Sequence, residues 1–238
     1  MSRVMSGPVL QRVAITLEAY NRVSPGSLCG ASCDHTLAAY GWELQIAGAC
    51  SETLKHVERA MRVALSRELR AFSGRPDWWA SQRVTLHGWA EGEIAKAGDH
   101  LRRNGKPPTP TAIAARLTFG FWTSLLGNAS GADYETRLWR PALHRAFPGH
   151  RGPRRDVYQR VEFLRKLRNR ADHPDDEPIG DLDLMAAMHT VELVVGWIDQ
   201  DAAAWVLARS RVPAVLSARP RACPGCTTVP RQRPATPA

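Results

Sequence analysis

The sequence is short of the features that most protein classes announce. No stretch approaches the ~18 consecutive apolar residues of a membrane-crossing helix. The most apolar segment, 190–198, is too short and contains Glu192. No run of alternating apolar and polar residues is bounded by hairpin signals, so no sheet is expected. No internal repeat occurs, which argues against a solenoid or propeller. A Gly-rich phosphate loop is missing, so ATP use has no support. No His-Glu-x-x-His or similar spacing points to a metal, and no cofactor is expected. Cysteines number five, an odd count, and no signal peptide is visible. A reducing cytoplasm is the expectation. Cys223-Pro-Gly-Cys226 is a lone pair at the end of the chain. Zinc would need two more ligands, and His189 or Cys29 with Cys33 would supply them only if the fold brought them close.

Acidic residues are also in deficit: 23 Asp and Glu against 32 Lys and Arg give a formal charge of +9. A basic surplus suits a polyanionic partner. An Arg- and Ala-rich coding bias explains it too, and part of the surplus lies in the tail. With 238 residues, 44% of them hydrophobic, the chain can bury a sizeable core in one large domain.

The patterning is helical almost throughout. Three segments are expected: a poorly patterned extension over 1–34, a helical domain over 35–212, and a Pro- and Arg-rich disordered tail over 213–238. Within the domain a long helix runs from Thr36 to Phe72, with a bend near Gly48. Its face is Leu54, Val57, Met61, Leu65 and Leu69. Gly74-Arg75-Pro76 ends it. A second helix is read over Val84–Arg102. Thr109-Pro110 is a helix start, followed by the stripe Ile113, Leu117, Phe121 and Leu125. Tyr134–Ala146 reads as a short amphipathic helix and Arg154–His173 as the clearest one. Asp181 caps the next, which reaches Trp197, and Ala202–Ala208 is the last. The fold class is therefore all-α, a helical bundle.

Two charges do not fit their faces. On Arg154–His173 the apolar stripe is Val157, Val161, Leu164 and Ala171, widened by Phe163 and Leu167. At ~100° per residue, Arg168 falls near its centre. An arginine there is costly to bury alone. It snorkels to solvent, is a structural buried ion, or lines a cleft and meets a phosphate. Glu58 lies within the apolar arc of the long helix in the same way. The two are expected to be neighbours, directly or through Asn169; the alternative leaves Glu58 exposed at the edge of its face.

Arg168-Asn169-Arg170-Ala171-Asp172-His173 matches Arg-Asn-x-x-x-His, which looks like the signature of HEPN-superfamily ribonucleases. Over roughly residues 36–216 the chain resembles the Abi-like abortive-infection family. The carrying blocks are His56–Arg62, Leu117-Thr118-Phe119-Gly120-Phe121-Trp122, Leu138–Leu143, Ala146-Phe147-Pro148 and Glu177-Pro178-Ile179. Two departures stand out. The family reads His-His-Glu-Pro-Ile, whereas Pro174-Asp175-Asp176 here separates His173 from Glu177. Arg62-Val63 stands where the family has Arg-Asn.

The resemblance implies a HEPN-like bundle with additional helices, acting as an endoribonuclease toxin of phage defence on cellular RNA. Arg168, Asn169 and His173 would be its catalytic residues. Glu58 and Arg62 would stand behind them, with Arg165, Lys166 and Arg170 on the RNA. RNA carries its own nucleophile, the 2′-OH, so no metal is required. His supplies both base and acid near its unperturbed pKa of ~6.5, and Arg suits charge developing on phosphate. On an ideal helix Arg168 and His173 point about 140° apart. Sharing a site requires His173 to leave helical geometry, which Pro174 favours. The resemblance further implies a homodimer with two motifs face to face, and an RNA antitoxin or protein partner as restraint. A helix C-cap is the competing role for His173. A non-catalytic RNA- or nucleotide-binding module is the competing function, motivated by the altered loop. The tryptophans 78, 79, 122, 139, 197 and 205 are read mainly as core, with base stacking as the other use.

Overall fold

The computed structural model describes residues 34–127, 132–173, 179 and 182–220, and among them every regular element is helical and no strand occurs. The all-α expectation holds. Expectations for residues 1–33, the loop 128–131, the Asp181 cap and the Cys223–Cys226 pair lie outside the described residues. No helix among the described residues is long and apolar enough to cross a membrane.

Helix α1, Asp34–Ser73, is continuous over 40 residues, about 60 Å at ~1.5 Å per residue. Gly48, where a bend is expected, is exposed, and the helix continues through it without a break. Leu54, Val57, Met61, Leu65 and Leu69 are each at most 1% exposed, as their spacing requires. Burying such side chains contributes about 1.5–3 kcal/mol each. The chain leaves α1 at Gly74, whose φ of +72° is left-handed backbone that glycine adopts without a Cβ clash.

Helix α2, Gly88–Arg103, starts four residues later than the Val84 expected from periodicity. The His87 ring accepts from the Trp89 amide and caps it, while Val84 and Leu86 are buried in the non-helical lead-in. The stripe Ile113–Leu125 is buried throughout, but it belongs to two helices, α3 (Pro110–Arg116) and α4 (Phe119–Ser124). Thr118 interrupts them. Its hydroxyl accepts from the Phe121 amide at 3.2 Å, an N-cap inside what periodicity reads as one helix. Thr109 caps α3 on the Ala112 amide as expected.

Tyr134–Ala146 is likewise not one helix. A π-helical turn over Glu135–Trp139 passes into a 3₁₀ turn over Leu143–Ala146. Pro141 sits between them and cannot donate to a helical ladder. Helix α5, Arg154–Asp172, and α6, Leu184–Ile198, follow closely the expected bounds. Helix α7, Gln200–Arg209, is capped by the Asp199 carboxylate on the Ala202 amide.

The chain divides into two compact units, to each of which α1 and α5 contribute residues. The first draws on the chain up to Cys50, Asn169–Asp183 and the chain from Arg211. Here the expected tail is corrected: Val212–Ser217 forms a further helix, α8, with proline in its first turn. Val212 is 1% exposed, and the indole N–H of Trp42 donates to the Val215 carbonyl at 2.7 Å. Glu43 is 4% exposed and accepts from the Ile179 amide, so a buried carboxylate meets a backbone dipole. Cys50 packs in the same unit, where burial and then the Glu43 charge push its thiol up to about 12.

The second unit is Ser51–Arg168 with Leu184–Ser210. Its core joins the α1 stripe to Val157, Val161 and Leu164 of α5 and to an aromatic group, Trp78, Phe121 and Trp122. Leu167 is buried, but Phe163 is 44% exposed, so the α5 apolar face widens less than expected. Arg154, 12% exposed, anchors the start of α5. It donates to the Leu126 and Gly127 carbonyls and to Glu135 at 2.7 Å. Replacing Arg154 by Met is expected to lower the urea unfolding free energy by about 2–4 kcal/mol. The hydrogen bond from Arg154 leads in holding the Glu135 carboxyl below the usual carboxylate range. That contribution is complete above ~4.3 and is lost as pH falls through the lowered value. A flatter acid limb in Arg154→Met than in wild type is the matching signature.

Candidate functional site

The Arg-Asn-x-x-x-His motif occupies the C-terminal end of α5. Arg168 is its innermost member. Its Nε lies 3.9 Å from Oε2 of Glu58, and the side chains are 28% and 16% exposed. The two charges that each violated an apolar face therefore meet, α1 supplying the carboxylate and α5 the guanidinium. The sequence argument is correct here for a simple reason. A charge placed in a buried stripe is tolerable only beside its opposite. The guanidinium side chain stays part-exposed beside its partner, in line with the ion-pair reading.

The remaining motif residues behave differently. Asn169 and His173 are exposed, and Arg170 is half-buried. The His173 amide donates to the carbonyls of Asn169 and Arg170, both at 3.2 Å. Helical hydrogen bonding thus persists to the His173 amide, one residue past the end of α5. On that path the His173 Cα stays about 140° around from Arg168. The helix itself ends at Asp172, so His173 is the first residue beyond it.

Arg62 does not join Arg168. Its Nη1 donates to the Ala115 carbonyl at 3.1 Å and ties α1 to the end of α3. Arg165 is held by Glu162 through two hydrogen bonds of 2.7 Å. Lys166 is exposed. Of the residues expected on RNA, Lys166 projects as an open cation, whereas Arg165 works as half of a salt-bridged fork.

No protein-family model, curated protein or solved structure matches the chain. The site must therefore be read from its own chemistry. Among the described residues, no three His, Cys, Asp or Glu side chains cluster as metal ligands would.

Several residues escaped the sequence reading. Glu43 is one, because nothing in its spacing marks it as a partner of Ile179. Trp89 is another. It is 49% exposed, and it lies off the buried stripe Ala90, Ile94, Ala97 and Leu101, so periodicity marks it as a surface aromatic. Trp78 and Trp122 are buried as expected, but Trp205 is 46% exposed. It borders a groove of about 680 Å3 with His56, Arg59 and Val63 of α1. That groove is on the helix face roughly opposite Glu58, by ~100° per residue. Trp205 is already engaged there by the His56 ring, with centroids 5.1 Å apart, and by Arg209, 4.4 Å above it.

The Glu58–Arg168 contact can be measured directly. A double-mutant cycle of Glu58→Gln and Arg168→Met in urea should give a coupling of about 1 kcal/mol, because both groups are largely shielded. The coupling should shrink only modestly in high salt. A value near zero would show that the two charges meet without interacting.

Proposed function

We propose that the protein is a HEPN-type endoribonuclease of the Abi-like kind, acting on cytoplasmic RNA as a growth-arresting toxin in phage defence. The observation that carries the reading is the Glu58–Arg168 ion pair at the motif. A carboxylate behind the guanidinium fixes its orientation and leaves it charged, which is what a group stabilising a pentavalent phosphorane requires. The exposed imidazole of His173, just past the end of α5, is accessible to a polymeric substrate.

The chemistry needs few parts. The 2′-oxygen attacks the adjacent phosphorus as a base removes its proton. The bond from phosphorus to the 5′-oxygen then breaks, and an acid protonates that oxygen. The products are a 2′,3′-cyclic phosphate and a 5′-hydroxyl. His173 serves as base or acid, Arg168 neutralises the phosphorane, and Asn169 orients the backbone or Arg168. A single chain presents Arg168 and His173 in divergent directions. Two copies with facing motifs would supply two of each, so the active form is proposed to be a homodimer. An RNA antitoxin is the restraint that the charge of +9 favours.

One observation favours a second reading. Helical bonding up to the His173 amide keeps the imidazole away from Arg168, as a non-catalytic RNA- or nucleotide-binding module would allow. The two readings separate cleanly. Wild type induced in a bacterial host should arrest growth and yield new RNA ends bearing cyclic phosphate, insensitive to EDTA in vitro. His173→Ala should abolish both effects. Cleavage that survives His173→Ala would remove the imidazole from the mechanism. Intact RNA with wild type, alongside salt-sensitive RNA binding unaffected by His173→Ala, would establish the binding module instead.

A further inference from the structure

The larger unit holds two neighbouring pockets, compartments of one surface region, that the motif does not use. One compartment, of about 380 Å3, is lined by Trp89, Tyr158, Glu162 and Arg165 among others. A second, of about 420 Å3, shares Tyr158 and contains Arg154 and Arg155. Tyr158 lines both. Its ring sits against Gly127, where an added Cβ would come within 3.0 Å of it, so the position of the ring depends on glycine there. Each volume is at the low end of the ~300–1,000 Å3 of small-ligand pockets. That suits one base or one sugar-phosphate, not a folded partner.

The chemistry of the two compartments differs. In the first, the half-exposed indole of Trp89 offers a flat apolar face suited to stacking. At its end Glu162 and Arg165 are only 21% and 26% exposed and are locked together, with the Glu162 carboxyl held below the usual carboxylate range first by the bond from Arg165. A carboxylate and a guanidinium side by side present acceptors next to donors, and each oxygen keeps a second lone pair. Guanine carries the complement on one edge: the O6 acceptor beside the N1–H and N2–H donors. Uracil has a single ring N–H donor there. In the second compartment Arg154 is committed to Glu135 and two carbonyls, whereas Arg155 is an exposed lining residue whose guanidinium suits a phosphate by its chemistry.

We propose that this cleft holds one guanine nucleotide of single-stranded RNA, the base on Trp89 before the Glu162–Arg165 fork and the phosphate toward Arg155. The inference deepens the ribonuclease reading and rests on it for the identity of the polymer, but the binding requires no cleavage. It makes the cleft the source of base preference on the same helix that carries Arg168.

The test uses the full chain and fluorescent 2′-O-methyl heptamers, which have no attacking hydroxyl: one with a central guanine among uridines, one all uridine. Wild type should bind the guanine heptamer about tenfold more tightly by anisotropy. Trp89→Ala should weaken that binding at least about tenfold. Glu162→Gln should bring the two heptamers within about twofold, and Trp205→Ala should change neither. Trp89 and Glu162 are outside the tightly packed core, and thermal melting checks that each variant is folded. Equal affinities in wild type, or a Trp89→Ala protein that binds unchanged, would overturn the assignment; the first comparison needs no variant at all. His173-dependent cleavage in cells without guanine preference would sink the cleft and spare the ribonuclease. Guanine-selective binding without cleavage would do the reverse.

Discussion

A charge set into an apolar helix face must meet an opposite charge or a backbone dipole, because alone it would forfeit its hydration. This chain meets that requirement repeatedly, and the encounters connect its helices. Glu58 on α1 faces Arg168 on α5. Glu43 takes the Ile179 amide. Arg154 gathers two carbonyls and Glu135 at the start of α5. Each contact specifies which segment lies beside which helix, information that apolar contacts alone carry only weakly.

Around this frame the chain is broken into shorter pieces than its periodicity suggests. Thr118 caps the Phe121 amide inside a continuous apolar stripe, and Pro141 cannot donate inside another. Both breaks leave the stripe residues buried while letting the backbone turn. The result is that α4 and the π-helical turn reach α5 from its N-terminal end, where Arg154 receives them. Residues on the outer side of α5, among them Phe163 and Lys166, are left to solvent.

The motif at the end of α5 shows how a short pattern and its geometry can carry different amounts of information. Arg168 is set beside a carboxylate on another helix. His173 is a separate matter. Its amide stays on the helical path, so within one chain the two side chains start far apart in angle. The Glu162–Arg165 fork, one turn nearer the start of α5, is stiffer and less exposed than the motif histidine. It is better suited to discriminating a base than to moving a proton.

Helical class, the long first helix, the core-facing residues of α1 and α5, and the Glu58–Arg168 encounter were all legible in the sequence. They depend on local periodicity and on the cost of an isolated charge, and neither needs a third dimension to be stated. The break at Thr118, the late start of α2 and the helix Val212–Ser217 were not legible. Caps and docking contacts outweigh propensity there, and Trp42 lies 173 residues from the Val215 carbonyl it reaches. The cleft was invisible for the same reason. Trp89, Gly127, Tyr158 and Glu162 are spread over three segments, and only folding brings an exposed indole, a missing Cβ and a salt-bridged fork around one space. Sequence alone determined which residues had to be inside and that Glu58 and Arg168 should pair; tertiary structure decided the partners of Glu43 and Arg154, because those depend on the packing of segments distant in the chain.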